Sequence, residues 1–222
     1  MMKPVYAFAL VLVGTVLFLI RAEVLGRRRQ IYVLKPLSTL IVIAVAALSF
    51  REPTRNLTYS AGVLVGLLFS FGGDVALMFQ ESRRAFAAGL GLFLLAHVAY
   101  MVVFGLLGRI SGWDVLSAVV LSVVAVGFYQ LIKANLGVMR VPVILYIVVI
   151  SMMVSRAVST LISPEFGNVQ AAAVALGAVL FYVSDAILAA GRFWRPWKYG
   201  RINLVFYYGG QMLIALAASG FG

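Results

Sequence analysis

The feature that most constrains this chain is a succession of eight apolar segments, each close to the length that crosses a lipid bilayer. A transmembrane helix needs about 20 mostly apolar residues, within a range of about 17–25. Of the 222 residues, 64% are hydrophobic and 11% are charged, whereas soluble domains are about 45–50% apolar. We therefore expect an all-α, polytopic membrane bundle of eight transmembrane helices, formed as one integral membrane domain over residues 1–222. The helices are predicted near residues 4–20, 35–50, 59–79, 85–108, 113–133, 141–162, 169–190 and 202–219.

The lysine and arginine residues between these segments predict the orientation of the chain. The odd-numbered connections carry 13 of them, whereas the N-terminal segment and the even-numbered connections carry 4. Because basic residues accumulate on the cytoplasmic side, both termini are expected on the outer side of a bacterial-type inner membrane. The net charge of +11 is thus explained by topology, and nucleic acid is not an expected partner. Cysteine is absent from the sequence, which excludes disulfides and thiolate metal sites.

Two aspartates, Asp74 and Asp185, lie inside apolar segments. At the bilayer centre an aspartate costs about 2.5–3.5 kcal/mol on insertion scales, so an intramembrane acid is a functional-site hypothesis. The two acids are 111 residues apart and lie in similar sequences, FGGDVAL at 71–77 and YVSDAIL at 182–188. Their helices are predicted to run in the same direction. This pattern predicts a parallel repeat of two four-helix halves, with the paired acids near the interface between the halves.

The two aspartates are expected near the cytoplasmic end of the bundle. Further polar side chains are predicted near that end. Lys35 is expected to open the second helix, where it either binds an anionic group or extends to the membrane interface. The seventh and eighth helices contribute Tyr182, one turn before Asp185, and a stripe of Asn203, Tyr207 and Gln211 at helical spacing.

His97 is the single histidine of the chain. Helix rise places it about 10 Å deeper than either aspartate. It is interpreted either as a hydrogen-bonded core residue or as a catalytic group. That depth argues against a zinc site made with the two aspartates, and no phosphate-binding or dinucleotide-binding motif is present. No metal and no cofactor are therefore expected.

Several short motifs resemble the YhhN family of lysoplasmalogenases. They are Lys35-Pro36-Leu37, Gly73-Asp74, Phe86-x-x-Gly89-x-x-x-Phe93-x-x-Ala96-His97-x-x-Tyr100, Ser184-Asp185 and Tyr208-x-x-Gln211. The resemblance spans nearly the whole chain. It implies an integral membrane hydrolase that cleaves the vinyl-ether bond of lysoplasmalogens, releasing a fatty aldehyde and glycerophosphocholine or glycerophosphoethanolamine. The expected partners are then a lysophospholipid substrate and the surrounding membrane lipid.

Vinyl-ether hydrolysis needs an acid and a base, and the chain offers Asp74 and Asp185, with His97 as the next candidate. Two carboxylates in one low-dielectric site do not both ionise easily, so one is expected to supply a proton while the other stays charged. The sequence does not assign the two roles. The expected substrate contacts are Lys35 for the phosphate, Asn203 and Tyr182 for the glycerol or an aspartate, and Tyr207 and Gln211 in the same site.

Two other classes of protein fit part of the pattern. A proton- or cation-coupled transporter also combines a repeat with paired acids at one depth, although the third and seventh helices lack obvious mid-span breaks. A purely structural membrane protein would leave the cost of the two acids unexplained. Release of aldehyde from a lysoplasmalogen would favour the hydrolase, whereas uptake without product would favour the transporter.

Overall fold

The described part of the chain is helical throughout. The computed structural model describes residues 4–52, 56–197 and 200–219, and these ranges contain eight α-helices and no strand. Lys3, Arg55 and Lys198, which enter the count of basic residues, lie outside the described residues. The helices are α1 (Pro4–Val24), α2 (Arg28–Leu48), α3 (Leu57–Leu77), α4 (Arg83–Leu107), α5 (Gly112–Ile132), α6 (Arg140–Val158), α7 (Asn168–Phe193) and α8 (Asn203–Ala217).

Seven of these helices, α1 to α7, are long and apolar enough to cross a bilayer. The prediction of a polytopic helical bundle is confirmed, and the protein is an integral, multi-pass membrane protein. The eighth predicted span differs, because α8 has only 15 residues. At 1.5 Å per residue it covers about 22 Å of a hydrocarbon core about 30 Å thick. A 3-10 turn, Gly200–Ile202, leads into it.

Helix α8 lies in the interior of the bundle, whereas α5 lies at its periphery. Eleven of the 15 residues of α8 are buried, and the helix packs against α7, α2 and α1. In α5, by contrast, Ile132 is the one buried residue, so nearly the whole helix faces outward. The short length of α8 is tolerated because its neighbours, rather than lipid, surround it.

The two halves of the bundle repeat the same order of neighbours. The pairs α1–α2, α2–α3 and α3–α4 recur as α5–α6, α6–α7 and α7–α8. Between the halves, α2 packs on α8 and α4 packs on α6. Helix α3 begins at Leu57 and α7 begins at Asn168, which is again a separation of 111 residues. This arrangement is the one that a parallel repeat predicts.

Close packing of α3 on α4 depends on three glycines of α3. A Cβ atom on Gly62 would lie 2.7 Å from the Cβ of Val103, and one on Gly66 would overlap the Tyr100 ring. A Cβ on Gly73 would lie 2.7 Å from the Phe93 ring. The Gly62-x-x-x-Gly66 motif therefore brings two helices together, as small residues do in membranes.

The largest boundary error concerns α2, which was expected to start at residue 35 but begins at Arg28. The polar residues 28–30 reduce the hydropathy of this stretch, yet the first turns of a transmembrane helix can extend beyond the hydrocarbon core. Lys35 consequently lies two turns inside the helix instead of opening it. Pro36 is an interior residue of α2, and its missing N–H leaves the Tyr32 carbonyl without its usual helical donor.

Candidate functional site

Asp74 is a buried carboxylate surrounded by donors from two other helices. Its Oδ2 accepts hydrogen bonds from the Thr39 hydroxyl at 2.6 Å and from the Tyr207 hydroxyl at 2.7 Å. Its Oδ1 lies 3.4 Å from the Lys35 ammonium nitrogen. Thr39 and Lys35 lie one turn apart on α2, and Tyr207 lies on α8. All three neighbours direct a donor at Asp74, which suits an ionised carboxylate because that group can only accept.

The Lys35 side chain is enclosed by the bundle. Only 11% of it is exposed, and its charge is paired with Asp74. The interpretation in which Lys35 extends to the membrane interface is therefore wrong. An ammonium group has three N–H donors, so one contact with Asp74 leaves Lys35 able to bind a second anionic group.

Asp185 forms a triangle with Tyr146 of α6 and His97 of α4. The Tyr146 hydroxyl donates to Asp185 Oδ2 at 2.5 Å. The His97 Nε2 atom lies 3.1 Å from the same carboxylate oxygen and 2.9 Å from the Tyr146 hydroxyl oxygen. Within the described residues His97 Nδ1 has no hydrogen-bond partner, so all the polar contacts of the ring run through Nε2. The imidazole of His97 can both give and accept a proton, whereas the ammonium group of Lys35 beside Asp74 can only donate.

His97 lies far closer to Asp185 than helix rise predicts, so the expected separation in depth of about 10 Å is wrong for the side chains. Helix α7 extends to Phe193, three residues beyond the expected end, but α4 begins at Arg83, two residues before its expected start, so the backbone positions still differ in depth by about 9 Å. Side chains on a helix, however, lean towards its N-terminus. Because α4 and α7 run in opposite directions, the two side chains lean towards each other, and an estimate from helix rise omits this effect.

Both aspartates line one polar chamber of about 230 Å³. Lys35 and Asn203 contribute to the same wall. The chamber opens at the end of the bundle where α2, α4, α6 and α8 begin, which we call the basic face. Its rim there includes Gly26, in the turn between α1 and α2.

A second, apolar chamber of about 70 Å³ lies between α4, α6 and α7. Asp185 and Tyr146 are among the few polar residues on its wall. Phe93 and Asp185 line both chambers. The Asp185 carboxylate therefore lies where a polar space meets an apolar one.

The other residues predicted for the site are not all brought together. Asn203 lines the polar chamber and Tyr182 lines the apolar one, so the expectation that both hold the same group is not supported by their positions. Gln211 lines neither chamber, and its Oε1 accepts a hydrogen bond from the Tyr100 hydroxyl at 2.7 Å. Gln211 therefore belongs to the packed interior beside the site, contrary to the expectation that it faces the substrate.

Tyr146 is the site residue that the sequence analysis missed. It lies in an apolar run of α6 with no acid or base beside it in the sequence. The repeat could have indicated Tyr146 as the counterpart of Lys35, because Tyr146 lies 39 residues before Asp185 and Lys35 lies equally far before Asp74. Among the described residues, no group of three or more His, Cys, Asp and Glu side chains is placed to hold a metal ion.

Comparison with known proteins places this chain in a family. The chain is 35% identical over 162 residues to a lysoplasmalogenase of Bos taurus, a match that covers 70% of this chain and 64% of that relative. A lysoplasmalogenase of Sus scrofa is 32% identical over 162 residues, covering 72% and 65%. One from Mycobacterium tuberculosis is 33% identical over 132 residues, covering 57% and 48%. The chain thus matches less than two thirds of the length of these relatives, and no solved structure matches it. The YhhN family model matches residues 30–218, and the chain therefore belongs to the YhhN family.

Proposed function

We propose that this protein hydrolyses the vinyl-ether bond of a lysoplasmalogen. The observation that carries the proposal is the position of Asp185 on the wall shared by the polar and the apolar chamber. A lysoplasmalogen joins a polar glycerophosphate to a long apolar alkenyl chain through the vinyl ether. With the chain in the apolar chamber and the glycerophosphate in the polar one, the vinyl ether lies beside Asp185. The relatives named lysoplasmalogenase support the same reaction.

Asp185 is proposed as the acid. Protonation of the alkene carbon that does not bear the ether oxygen converts the vinyl ether into an oxocarbenium ion. The contacts with His97 Nε2 and the Tyr146 hydroxyl let the three groups hold one exchangeable proton together. His97 and Tyr146 thereby orient the carboxyl group towards the vinyl ether.

Asp74 is proposed as the base, because the donors around it suit a carboxylate that stays charged. Its charge stabilises the oxocarbenium ion, and it accepts a proton from the water that adds to the carbon bearing the ether oxygen. The product of this step is a hemiacetal. General acid and base groups each contribute about 10²–10⁴-fold to a rate.

Collapse of the hemiacetal restores both carboxyl groups. The hemiacetal hydroxyl returns its proton to Asp185 while Asp74 passes its new proton to the departing glycerol oxygen. The carbon–oxygen bond to glycerol breaks, and the former vinyl carbon becomes the aldehyde. Water is the only co-reactant, and the balance requires no metal or redox cofactor.

The remaining polar groups of the chamber suit the substrate's polar part. Lys35 is proposed to bind the phosphate while still paired with Asp74, and Asn203 is proposed to bind the glycerol. The basic face is proposed to be cytoplasmic, in line with the positive-inside rule. The polar chamber would then open to the cytoplasmic leaflet, and both termini would lie on the outer side.

The direct test incubates the purified protein with a lysoplasmenylethanolamine and measures free aldehyde. A saturated 1-O-alkyl analogue of equal chain length serves as the control, since it has no vinyl group to protonate. Aldehyde from the vinyl ether alone is the expected result. Substrate uptake into proteoliposomes without aldehyde would reject the hydrolase in favour of the transporter.

A further inference from the structure

The polar chamber concentrates acids in a chain that is otherwise basic. The whole sequence has 7 acidic and 18 basic residues. Among the residues that the structure describes, four acids and three basic residues line this chamber. They are Glu23, Asp74, Glu81 and Asp185, together with Arg28, Lys35 and Arg201. Because both signs of charge are present, the chamber is complementary to a zwitterion rather than to a simple anion.

Two ion pairs occupy the mouth of this chamber. The Arg201 guanidinium lies 3.1 Å from the Glu23 carboxylate, and that of Arg28 lies 2.5 Å from the Glu81 carboxylate. Glu23, near the end of α1, has a side chain only 14% exposed, whereas the Glu81 side chain is 78% exposed. Solvent screens the exposed pair far more strongly. Glu23 is thus the mouth carboxylate that solvent screens less, and it shares its charge between Arg201 and any ligand bound there.

We propose that Glu23 binds the ammonium group of a zwitterionic headgroup and favours a primary ammonium over a trimethylammonium. The inference rests on the proposed function for the placement of the rest of the substrate. Lys35 lies seven residues, or about 10 Å of helix rise, inside the helix that begins at Arg28. With the phosphate at Lys35, the ethylene arm of the headgroup extends towards the mouth, where Glu23 lies.

The preference for a primary ammonium follows from the groups available at the mouth. A primary ammonium donates three hydrogen bonds, which the Glu23 carboxylate can accept, whereas a trimethylammonium donates none. Sites for quaternary ammonium groups are instead cages of aromatic rings. Within the part of the chain that the structure describes, Tyr32 is the one aromatic residue that lines the mouth, since Phe93 and Tyr207 line the chamber beside the aspartates. The described residues of the mouth therefore supply a carboxylate but no aromatic cage.

The experiment measures binding of three saturated 1-O-alkyl lysophospholipids with equal chains and with ethanolamine, choline or glycerol headgroups. These ligands cannot be hydrolysed as vinyl ethers, so binding is read separately from catalysis. The wild-type protein should bind the ethanolamine ligand about tenfold tighter than either of the others, as expected for one charge-assisted hydrogen bond. Equal affinities for the three ligands, or no binding of any, would overturn the proposal.

Variants identify the carboxylate responsible. Glu23→Gln should reduce the ethanolamine preference to less than twofold, and Glu23→Asp, which keeps the charge, should retain part of it. Glu165→Gln removes an acid outside both chambers and should leave the preference intact. An undiminished preference in a folded Glu23→Gln protein would reject Glu23 as the ammonium ligand. A tenfold preference without aldehyde release from the vinyl ether would instead reject the proposed function and leave this inference standing.

Discussion

Lys35 and Tyr146 occupy equivalent positions in the two halves of the bundle, and each contacts the aspartate of its own half. The Lys35 ammonium lies 3.4 Å from Asp74, and the Tyr146 hydroxyl lies 2.5 Å from Asp185. Each of the two residues lies 39 positions before its aspartate. Identical halves would produce two equivalent acids. The exchange of a lysine for a tyrosine makes one carboxylate a partner in an ion pair and the other a member of a hydrogen-bonded triangle, which suits the different roles proposed for them.

The partners on α4 and α8 follow the same repeat. His97 of α4 and Tyr208 of α8 are 111 residues apart. His97 contacts Tyr146, and the Tyr208 hydroxyl donates to the Lys35 carbonyl oxygen at 3.1 Å. The repeat therefore relates residue contacts as well as helices. It places histidine on the side of the bundle where the acid is proposed.

Asparagine at either aspartate should abolish turnover. Asp74→Asn and Asp185→Asn keep the shape of the side chain but cannot exchange a proton, so each should lower kcat by about 10²–10⁴-fold. If the two groups act as one unit, the double variant should be scarcely slower than either single one. Aldehyde release measures the effect.

Asp114→Asn is the matched control for these variants. Asp114 lies on α5, paired with Arg156 at 3.1 Å and away from both chambers. Its variant should keep nearly the wild-type rate. A near wild-type rate in either of the first two variants would reject the paired-carboxylate mechanism.

Removal of the Tyr146 hydroxyl should slow the chemical step without weakening substrate binding. Tyr146→Phe takes one hydrogen bond from Asp185, and misplacement of a catalytic group can cost about a hundredfold. We expect kcat to fall at least tenfold with KM unchanged. Tyr129→Phe is the control, since the Tyr129 hydroxyl contacts Arg140 at 3.0 Å outside both chambers. A raised KM with an unchanged kcat would show that Tyr146 binds substrate instead.

The sequence predicted the two acids, the repeat and the membrane class, because these depend on composition and on separations along the chain. The sequence did not predict the features that depend on which faces of the helices contact each other. Helix α8 is as apolar as a membrane span yet lies in the centre of the bundle, and hydropathy does not distinguish lipid from protein neighbours. Tyr146 was missed for a related reason, since an aromatic residue in an apolar run gives no sign of facing Asp185.

The Lys35–Asp74 pair should be coupled in stability. Lys35→Met leaves the buried Asp74 carboxylate unpaired, and breaking a buried pair in this way costs about 3–5 kcal/mol. Adding Asp74→Asn removes the uncompensated charge, so the double variant should recover much of that loss. Thermal unfolding in detergent provides the measurement, with Lys133→Met at an exposed position as the control. If the double variant lost as much stability as the two single variants together, the pair would contribute no interaction energy.

The contact between α3 and α4 should not tolerate a side chain at Gly66. The added methyl group of Gly66→Ala would meet the Tyr100 ring, and overpacking of this kind costs about 1–3 kcal/mol. The displaced ring would also weaken the Tyr100–Gln211 hydrogen bond. Gly127→Ala, on the exposed helix α5, meets nothing within 4 Å and should be neutral or slightly stabilising. Equal melting temperatures for the two variants would show that α3 can move away from α4 at little cost.

Filling the apolar chamber should shorten the alkenyl chain that the protein accepts. Ala189 lines this chamber on α7, so Ala189→Phe places a ring where distal methylenes of the chain are expected. Each buried methylene contributes about 0.8 kcal/mol, and excluding two or three should lower kcat/KM for a long-chain substrate at least tenfold. A short-chain substrate should be hardly affected. Ala190→Phe, at the next position and outside the chamber wall, is the matched control. If Ala189→Phe lowered kcat/KM equally for both substrates, the chain would have to lie elsewhere.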